Sequence, residues 1–238
     1  MANRLKNDTP QNDPRLYVAL DLPSVEEAQD LVTTLGESVV SYKIGLQLLP
    51  IGGMDLARRL KDDGKAVFLD FKFHDIDATV EKAVRSVAGF GADLLTVHAR
   101  PDVMRAASKG RGDSALKILG VSVLTSLDDE ALLDIGYAYG ASDLVMRRVD
   151  QAVEAGIDGV VSSPLEAEDV RKRVEDNFLI VTPGVRMPGD EKGDQKRVAT
   201  PYDALQDGAS HIVVGRPINA ASDPRAAARA IIANMHGL

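Results

Sequence analysis

Short apolar, β-branched runs alternate along this chain with longer stretches of helical period. The first run is Leu16–Leu22. A helix from Ser24 to about Leu35 follows, with Ser24 and Glu27 spaced as a capping box and Gly36 as its stop. Further strands are predicted at Tyr42–Leu46, Ala66–Lys72, Leu94–Ala99, Lys117–Leu124, Gly159–Ser163, Leu179–Thr182 and His211–Val214. Between them the period predicts a helix ending at Gly64, then Asp75–Ala88 and Asp102–Ser108. Helical segments at Asp128–Gly140 and Asp143–Ala155 come next, then one ending near Glu175, a short one near Tyr202–Gln206 and a closing helix Ala226–Met235. Several strands are apolar throughout, as parallel strands covered on both faces are. Eight strand–helix units in this length predict an α/β fold, a single closed (β/α)8 TIM barrel. An open doubly wound sheet is the alternative, and the lack of G-x-G-x-x-G after the first strand weakens its dinucleotide-binding form.

Composition narrows the function more than the fold. The chain of 238 residues has 45% hydrophobic and 27% charged residues, no Trp and no Cys. Thiol nucleophiles, disulfides and Cys-ligated metals are therefore excluded. A net charge of −8 argues against nucleic acid as a partner, though local cations can still hold a small anion. Residues 1–14 read as a polar, disordered tail, and residues 15–238 as one catalytic barrel domain. Neither a signal-peptide core nor a membrane-length apolar run is present, so a cytoplasmic protein without membrane contact is expected.

In a barrel the active site lies at the C-terminal ends of the strands, so polar residues there carry information. Asp21, Asp70, Lys72, His98, Thr125, Ser162, Arg186, Gly215 and Arg216 fall at or just after predicted strand ends, and Lys43 lies within the second strand. The densest group is Asp70-Phe71-Lys72-Phe73-His74-Asp75. Residues two apart share a strand face, so Asp70 and Lys72 should point together into the barrel mouth. Carboxylates beside an ammonium favour its protonated form, and a held, protonated lysine can act as general acid toward a carbanion. Nearby carboxylates would also repel an anionic substrate group, a strain relieved if that group leaves as neutral CO₂. Each residue has a plainer reading. Asp75 alone would serve as a helix N-cap, and Asp70 with Lys72 as an ion pair. His98 reads equally as a structural histidine, and Ser162 and Ser163 as backbone-bonding loop residues. Three charges at one strand end, with Lys43 and Asp21 in reach, favour chemistry because burying charge for stability alone is costly.

A second group follows the last strand. Gly215 permits close approach of backbone N–H groups to an oxyanion, and Arg216 supplies a charged fork. Barrels commonly bind phosphate at this place. The Gly-rich, charged loop 182–201, with Arg186 and Gln195, reads as a lid over an anionic ligand or as a solvated charge run.

With these motifs in hand, the chain resembles the orotidine 5′-monophosphate decarboxylases, in their bacterial branch. The likeness rests on Val18-Ala19-Leu20-Asp21, Tyr42-Lys43-Ile44-Gly45, Asp70-Phe71-Lys72-Phe73-His74-Asp75-Ile76, Val123-Leu124-Thr125-Ser126, Thr182-Pro183-Gly184-Val185-Arg186 with Gly193-Asp194-Gln195, and Val214-Gly215-Arg216. It implies a carbon–carbon lyase converting orotidine 5′-monophosphate to uridine 5′-monophosphate, the last step of pyrimidine nucleotide synthesis, without metal or cofactor. It implies that Lys72 protonates C6 while Asp70 and Asp75 crowd the carboxylate, that Lys43 and Asp21 contact the ribose, and that Thr125 lies near the pyrimidine. Arg186, Gln195, Gly215 and Arg216 would hold the phosphate side. Asp75 and Thr79 would reach the neighbouring subunit's site in a homodimer. Two stretches depart from the family pattern: Asp77-Ala78 replaces a common Pro-Asn, and Arg100-Pro101-Asp102 replaces a small residue with paired glycines. The alternative is a Mg²⁺-dependent phosphosugar decarboxylase or aldolase of the same suprafamily, which shares D-x-K-x-x-D but places an acid where this chain has Lys43.

Overall fold

A computed structural model describes residues 10–188 and 199–238. Eight parallel strands close into a barrel in sequence order: β1 Leu16–Ala19, β2 Ser41–Gly45, β3 Ala66–Phe73, β4 Leu94–His98, β5 Lys117–Val121, β6 Gly159–Val161, β7 Leu179–Pro183 and β8 His211–Val214, with β8 paired to β1. The closed barrel expected from the strand–helix alternation is present, and the open sheet is set aside. Helices α1 Val25–Leu35, α2 Gly53–Asp62, α3 Asp77–Phe90, α4 Pro101–Arg111, α5 Asp129–Asp134, α6 Ala141–Glu154, α7 Ala167–Arg171, α8 Pro201–Gln206, α9 Arg216–Asn219 and α10 Pro224–Met235 cover it. None of the helices described is long and apolar enough to cross a membrane.

The two-residue period of each strand divides the core into two layers. Tyr17, Ala19, Phe68, Leu94, Leu119, Val181 and Val213 fill the barrel, where Tyr17 meets Phe68 edge to face at 5.7 Å. Their neighbours Val18, Tyr42, Val67, Leu69, Leu95, Ile118 and Ile212 face the helices instead. Lys43 and Asp70 continue the inward rows above Ser41 and Phe68, so the same alternation that fills the barrel delivers charge to its mouth.

Local signals account for most element ends. Ser24 accepts the Glu27 N–H at 3.1 Å and Gly36, at φ 53°, ends α1, as the capping pattern predicted. At Gly110 a side chain would meet the Glu81 carbonyl, and its absence lets α4 lie close against α3. Other boundaries differ from expectation. Helix α3 begins at Asp77 with Ile76 at its N-cap, while the Asp75 carboxylate, among the described residues, accepts the N–H of its neighbour Ile76, so Asp75 is not the cap. The segment predicted as helix to Gly140 is helical only to Asp134, because Gly136 turns left-handed at φ 91°. Strand β5 stops at Val121, where the Ser122 hydroxyl takes the Val161 carbonyl at 2.8 Å and turns the chain into the loop that carries Thr125. The helix expected to run to Glu175 is a 3-10 turn, Pro164–Glu166, followed by the short α7. At the N-terminus, Asp13 is buried and accepts from Arg15 and His236.

Candidate active site

The mouth of the barrel holds a cavity of about 420 Å³. Of the residues expected to form the site, Asp21, Lys43, Asp70, Lys72, Thr125, Arg186, Gly215 and Arg216 all line it. They arrive from β2, β3 and the segments after β1, β5, β7 and β8, so convergence depends on closure of the barrel. Phe68, Val121, Val161 and Val213 add apolar lining to the same cavity. A cavity lined by both charged and apolar groups suits a planar ring carrying anionic substituents.

Four charges form an alternating chain in this cavity. The Lys43 Nζ lies 3.2 Å from Asp21 Oδ1 and 3.3 Å from Asp70 Oδ2, and the Lys72 Nζ lies 2.8 Å from Asp70 Oδ1. Lys43 is only 7% exposed. Burial alone would push its pKa down, but Asp70 and Asp21 more than offset this and raise it. Burial likewise opposes the Asp70 charge, yet Lys43, Lys72 and a hydrogen bond from Thr96 hold its carboxyl below the ordinary range. The chain is therefore ionised at neutral pH along its buried links. Gly45 completes it by absence, since a Cβ there would come 3.0 Å from Asp21 Oδ1 and 3.1 Å from Lys43 Nζ.

Asp70 and Lys72 meet by a route that differs from the expected one. In a regular strand, alternation alone would place both residues on one face. Instead the β3–β4 register breaks between Leu69 and Phe73, and Lys72 adopts a left-handed backbone at φ 49°. For a residue with a side chain this conformation costs about 1–3 kcal/mol and is characteristic of functional positions. Phe71 keeps the outward alternation of Val67 and Leu69 and packs in the helix-facing core, while the left-handed turn at Lys72 brings its side chain onto Asp70.

Asp75 and Thr79 do not join them within one chain. Both are exposed and lie outside the cavity, and Asp75 lines a separate shallow surface with His74, Arg100 and Asp102. The expected pair of carboxylates beside Lys72 is thus a single carboxylate, Asp70, in the isolated chain. Gln195 and the rest of residues 189–198 lie outside the described residues. At the rim, the Arg186 N–H bonds the Ala199 carbonyl at 3.0 Å and its guanidinium bonds the Val185 carbonyl at 2.8 Å. His98 is half-buried with its ring 5.0 Å from that of His74. Burial first, then the neighbouring His74 and Lys72, lowers its pKa and favours the neutral ring. Ser163 bonds backbone, accepting the Leu165 N–H at 3.2 Å, but the buried Ser162 hydroxyl meets no partner among the described residues.

Residues 14–231 match the orotidine 5′-phosphate decarboxylase / HUMPS family. The chain belongs to this family. A protein named orotidine 5′-phosphate decarboxylase from Caulobacter sp. (strain K31) is 60% identical over 226 residues, covering 95% of this chain and 99% of that one. One of the same name from Methylorubrum extorquens (strain PA1) is 56% identical over 225 residues, covering 94% and 97%. Among solved structures, the crystal structure of orotidine 5′-phosphate decarboxylase from Lactobacillus acidophilus superposes with a TM-score of 0.79 at 36% identity, covering 91% of this chain and 96% of that one. The resemblance drawn from the motifs is borne out at the level of the family and of its bacterial members.

One residue that lines this decarboxylase-family cavity and one buried behind its charge chain escaped the reading of the sequence. Asn219, on α9, lines the cavity and donates from Nδ2 to the Ala19 carbonyl at 2.8 Å, closing the seam between β8 and β1. Thr96 is fully buried in β4 beside Asp70. Thr96 carried a usable signal, a hydroxyl inside the apolar run Leu94-Leu95-Thr96-Val97. Asn219 carried none, because its role follows from a contact 200 positions away.

Proposed function

We propose that this chain decarboxylates orotidine 5′-monophosphate to uridine 5′-monophosphate, in the last step of pyrimidine nucleotide synthesis. One observation carries the reading. The Lys72 ammonium, held 2.8 Å from the Asp70 carboxylate, shares one cavity with Arg186, Gly215 and Arg216. A phosphate seated by Gly215 and Arg216, with Arg186 at the rim, would place the pyrimidine between Thr125 and the charge chain, and the ribose beside Asp21 and Lys43. The substrate carboxylate would then face Asp70. Its repulsion by Asp70 is relieved as the C6–carboxylate bond breaks and CO₂ leaves. The electron pair stays on C6, Lys72 donates a proton to that carbon, and water later restores the lysine. Binding energy from the remote phosphate would be spent on forcing this encounter.

The experiment follows the ultraviolet band of the orotate ring with purified protein in excess EDTA. Loss of the band with formation of uridine 5′-monophosphate supports the reading. No turnover by folded protein would reject it and lead to Mg²⁺ and ketose phosphates. Lys43 stands where those suprafamily enzymes place an acid, so the charge in β2 favours the first outcome.

The proposal includes one barrel domain over residues 15–238 and a homodimer in which Asp75 and Thr79 enter the partner's site. Their exposure, with Ile76 71% exposed beside them, supports an interface here. Mixing Lys72→Ala with Asp75→Asn chains tests it. In a hybrid dimer one site carries both defects and the other carries none, so random pairing restores about a quarter of the wild-type rate. Mixtures no more active than their parents would exclude sharing of sites.

A further inference from the structure

Thr96 lies at the one place where β3 and β4 disagree in length. Between the paired positions Leu69↔Leu95 and Phe73↔Val97, β3 has three residues, Asp70, Phe71 and Lys72, and β4 has Thr96 alone. A bulge of this kind deprives backbone groups of their ladder partners. The Lys72 N–H instead donates to Thr96 Oγ1 at 3.0 Å. The same hydroxyl donates its proton to Asp70 Oδ1 at 2.8 Å. That oxygen also receives the Lys72 ammonium at 2.8 Å. One hydroxyl thus ties the backbone of Lys72 to the carboxylate that its own side chain grips, forming a closed ring of three contacts. Thr96 is fully buried and does not line the cavity, so it cannot touch a ligand there.

We propose that Thr96 is a positioning residue: its hydroxyl clamps the β3 bulge in the left-handed conformation that delivers the Lys72 ammonium to Asp70. The role rests on the decarboxylase reading above. It requires a group that donates and accepts at once, which a hydroxyl does. Valine has the same branched shape but can do neither, and serine can do both without the methyl group. Simple satisfaction of buried polar groups would make a Thr96 variant less stable. It would not select the chemical step over binding, or alter the ionisation of Asp70.

The test compares Thr96→Val and Thr96→Ser with the unaltered enzyme in kcat, KM, pH profile and affinity for uridine 5′-monophosphate. Thr96→Val should lower kcat by about ten- to a hundredfold, the scale of one hydrogen bond to a charged group. Product affinity should change by no more than about twofold, because the phosphate and ring contacts remain. The acid limb of its pH profile should move to higher pH, since Asp70 loses a donor that favours its ionised form. Thr96→Ser should recover most of kcat. A Thr96→Val enzyme with wild-type kcat, or one that loses product affinity as much as turnover, overturns the inference. If the unaltered protein does not turn over the nucleotide, the decarboxylase reading fails first. If Thr96→Val does not fold, backbone amide exchange at Lys72 in the unaltered chain decides: strong protection is expected, and exchange at the rate of free peptide overturns the clamp.

Discussion

The two rims of the barrel use the same residue types for opposite purposes. At the lower rim, Asp93 accepts the Val67 N–H at 2.7 Å and pairs with Lys61 at 2.7 Å. Asp158 accepts the Ile118 N–H at 2.9 Å and pairs with Arg111 and with Lys117 at 3.0 Å. Each of these carboxylates stitches the backbone of one strand to the loop before another. At the upper rim, Asp70 is bound by Lys43, Lys72 and the Thr96 hydroxyl, with a cavity in front of it. Its two ammonium partners, Lys43 and Lys72, line the cavity and would also meet a substrate charge. An acid that satisfies backbone contributes to stability, whereas an acid that satisfies other ionisable groups at a cavity is poised for chemistry.

Lys72→Ala should break the upper rim most completely. Turnover should fall by at least about 10³-fold, the range of a lost general acid, while uridine 5′-monophosphate still binds. Single-turnover kinetics with a product-binding titration would check both parts, and an active variant would remove the proton-donor role. The strained backbone sharpens the point. Because φ is 49° here, Lys72→Gly should be more stable than Lys72→Ala by up to about 1 kcal/mol, the reverse of the ordinary order. Denaturant melts of the two variants would show it.

Arg216→Ala should lower kcat/KM by about ten- to a hundredfold and raise KM, through loss of a charge-assisted contact to phosphate. The lower rim should respond in the inverse sense. Asp158→Ala should cost about 1–3 kcal/mol of stability by stranding the Ile118 N–H and two cations, with kcat nearly unaltered. A large drop in kcat for a folded Asp158→Ala enzyme would erase the distinction between the rims.

The smallest effect is in acid. The Asp70 carboxyl ionises at lower pH in the folded chain than in the unfolded one, so below neutrality the folded state binds fewer protons there. Its contribution to stability is complete above the ordinary carboxylate range near pH ~4 and is lost as the pH falls through its depressed value. Unfolding free energy measured from neutral to acid pH should therefore fall less steeply for Asp70→Asn than for the unaltered chain. Equal slopes would mean that Lys43 and Lys72 do not hold the Asp70 charge.

Much of this was legible in the sequence because it is local. Strand and helix periods, the Ser24 cap, the Gly36 stop and the clustering of Asp70, Lys72, Gly215 and Arg216 at strand ends each depend on residues near one another in the chain. The eightfold alternation specified the barrel, and the barrel specified which end of each strand would carry chemistry. What the sequence could not contain were facts about distance between strands. The pairing of Lys43 with both Asp21 and Asp70, the Asn219 bond to Ala19, and the separation of Asp75 from Lys72 depend on closure and register. The bulge is the clearest case. Strand periodicity correctly placed Asp70 and Lys72 together, yet they meet because β3 carries two more residues than β4 across one step and Thr96 absorbs the mismatch. Periodicity along one strand is set by its own backbone. Register between two strands is set by packing and hydrogen bonds on both, and only the tertiary structure decides it.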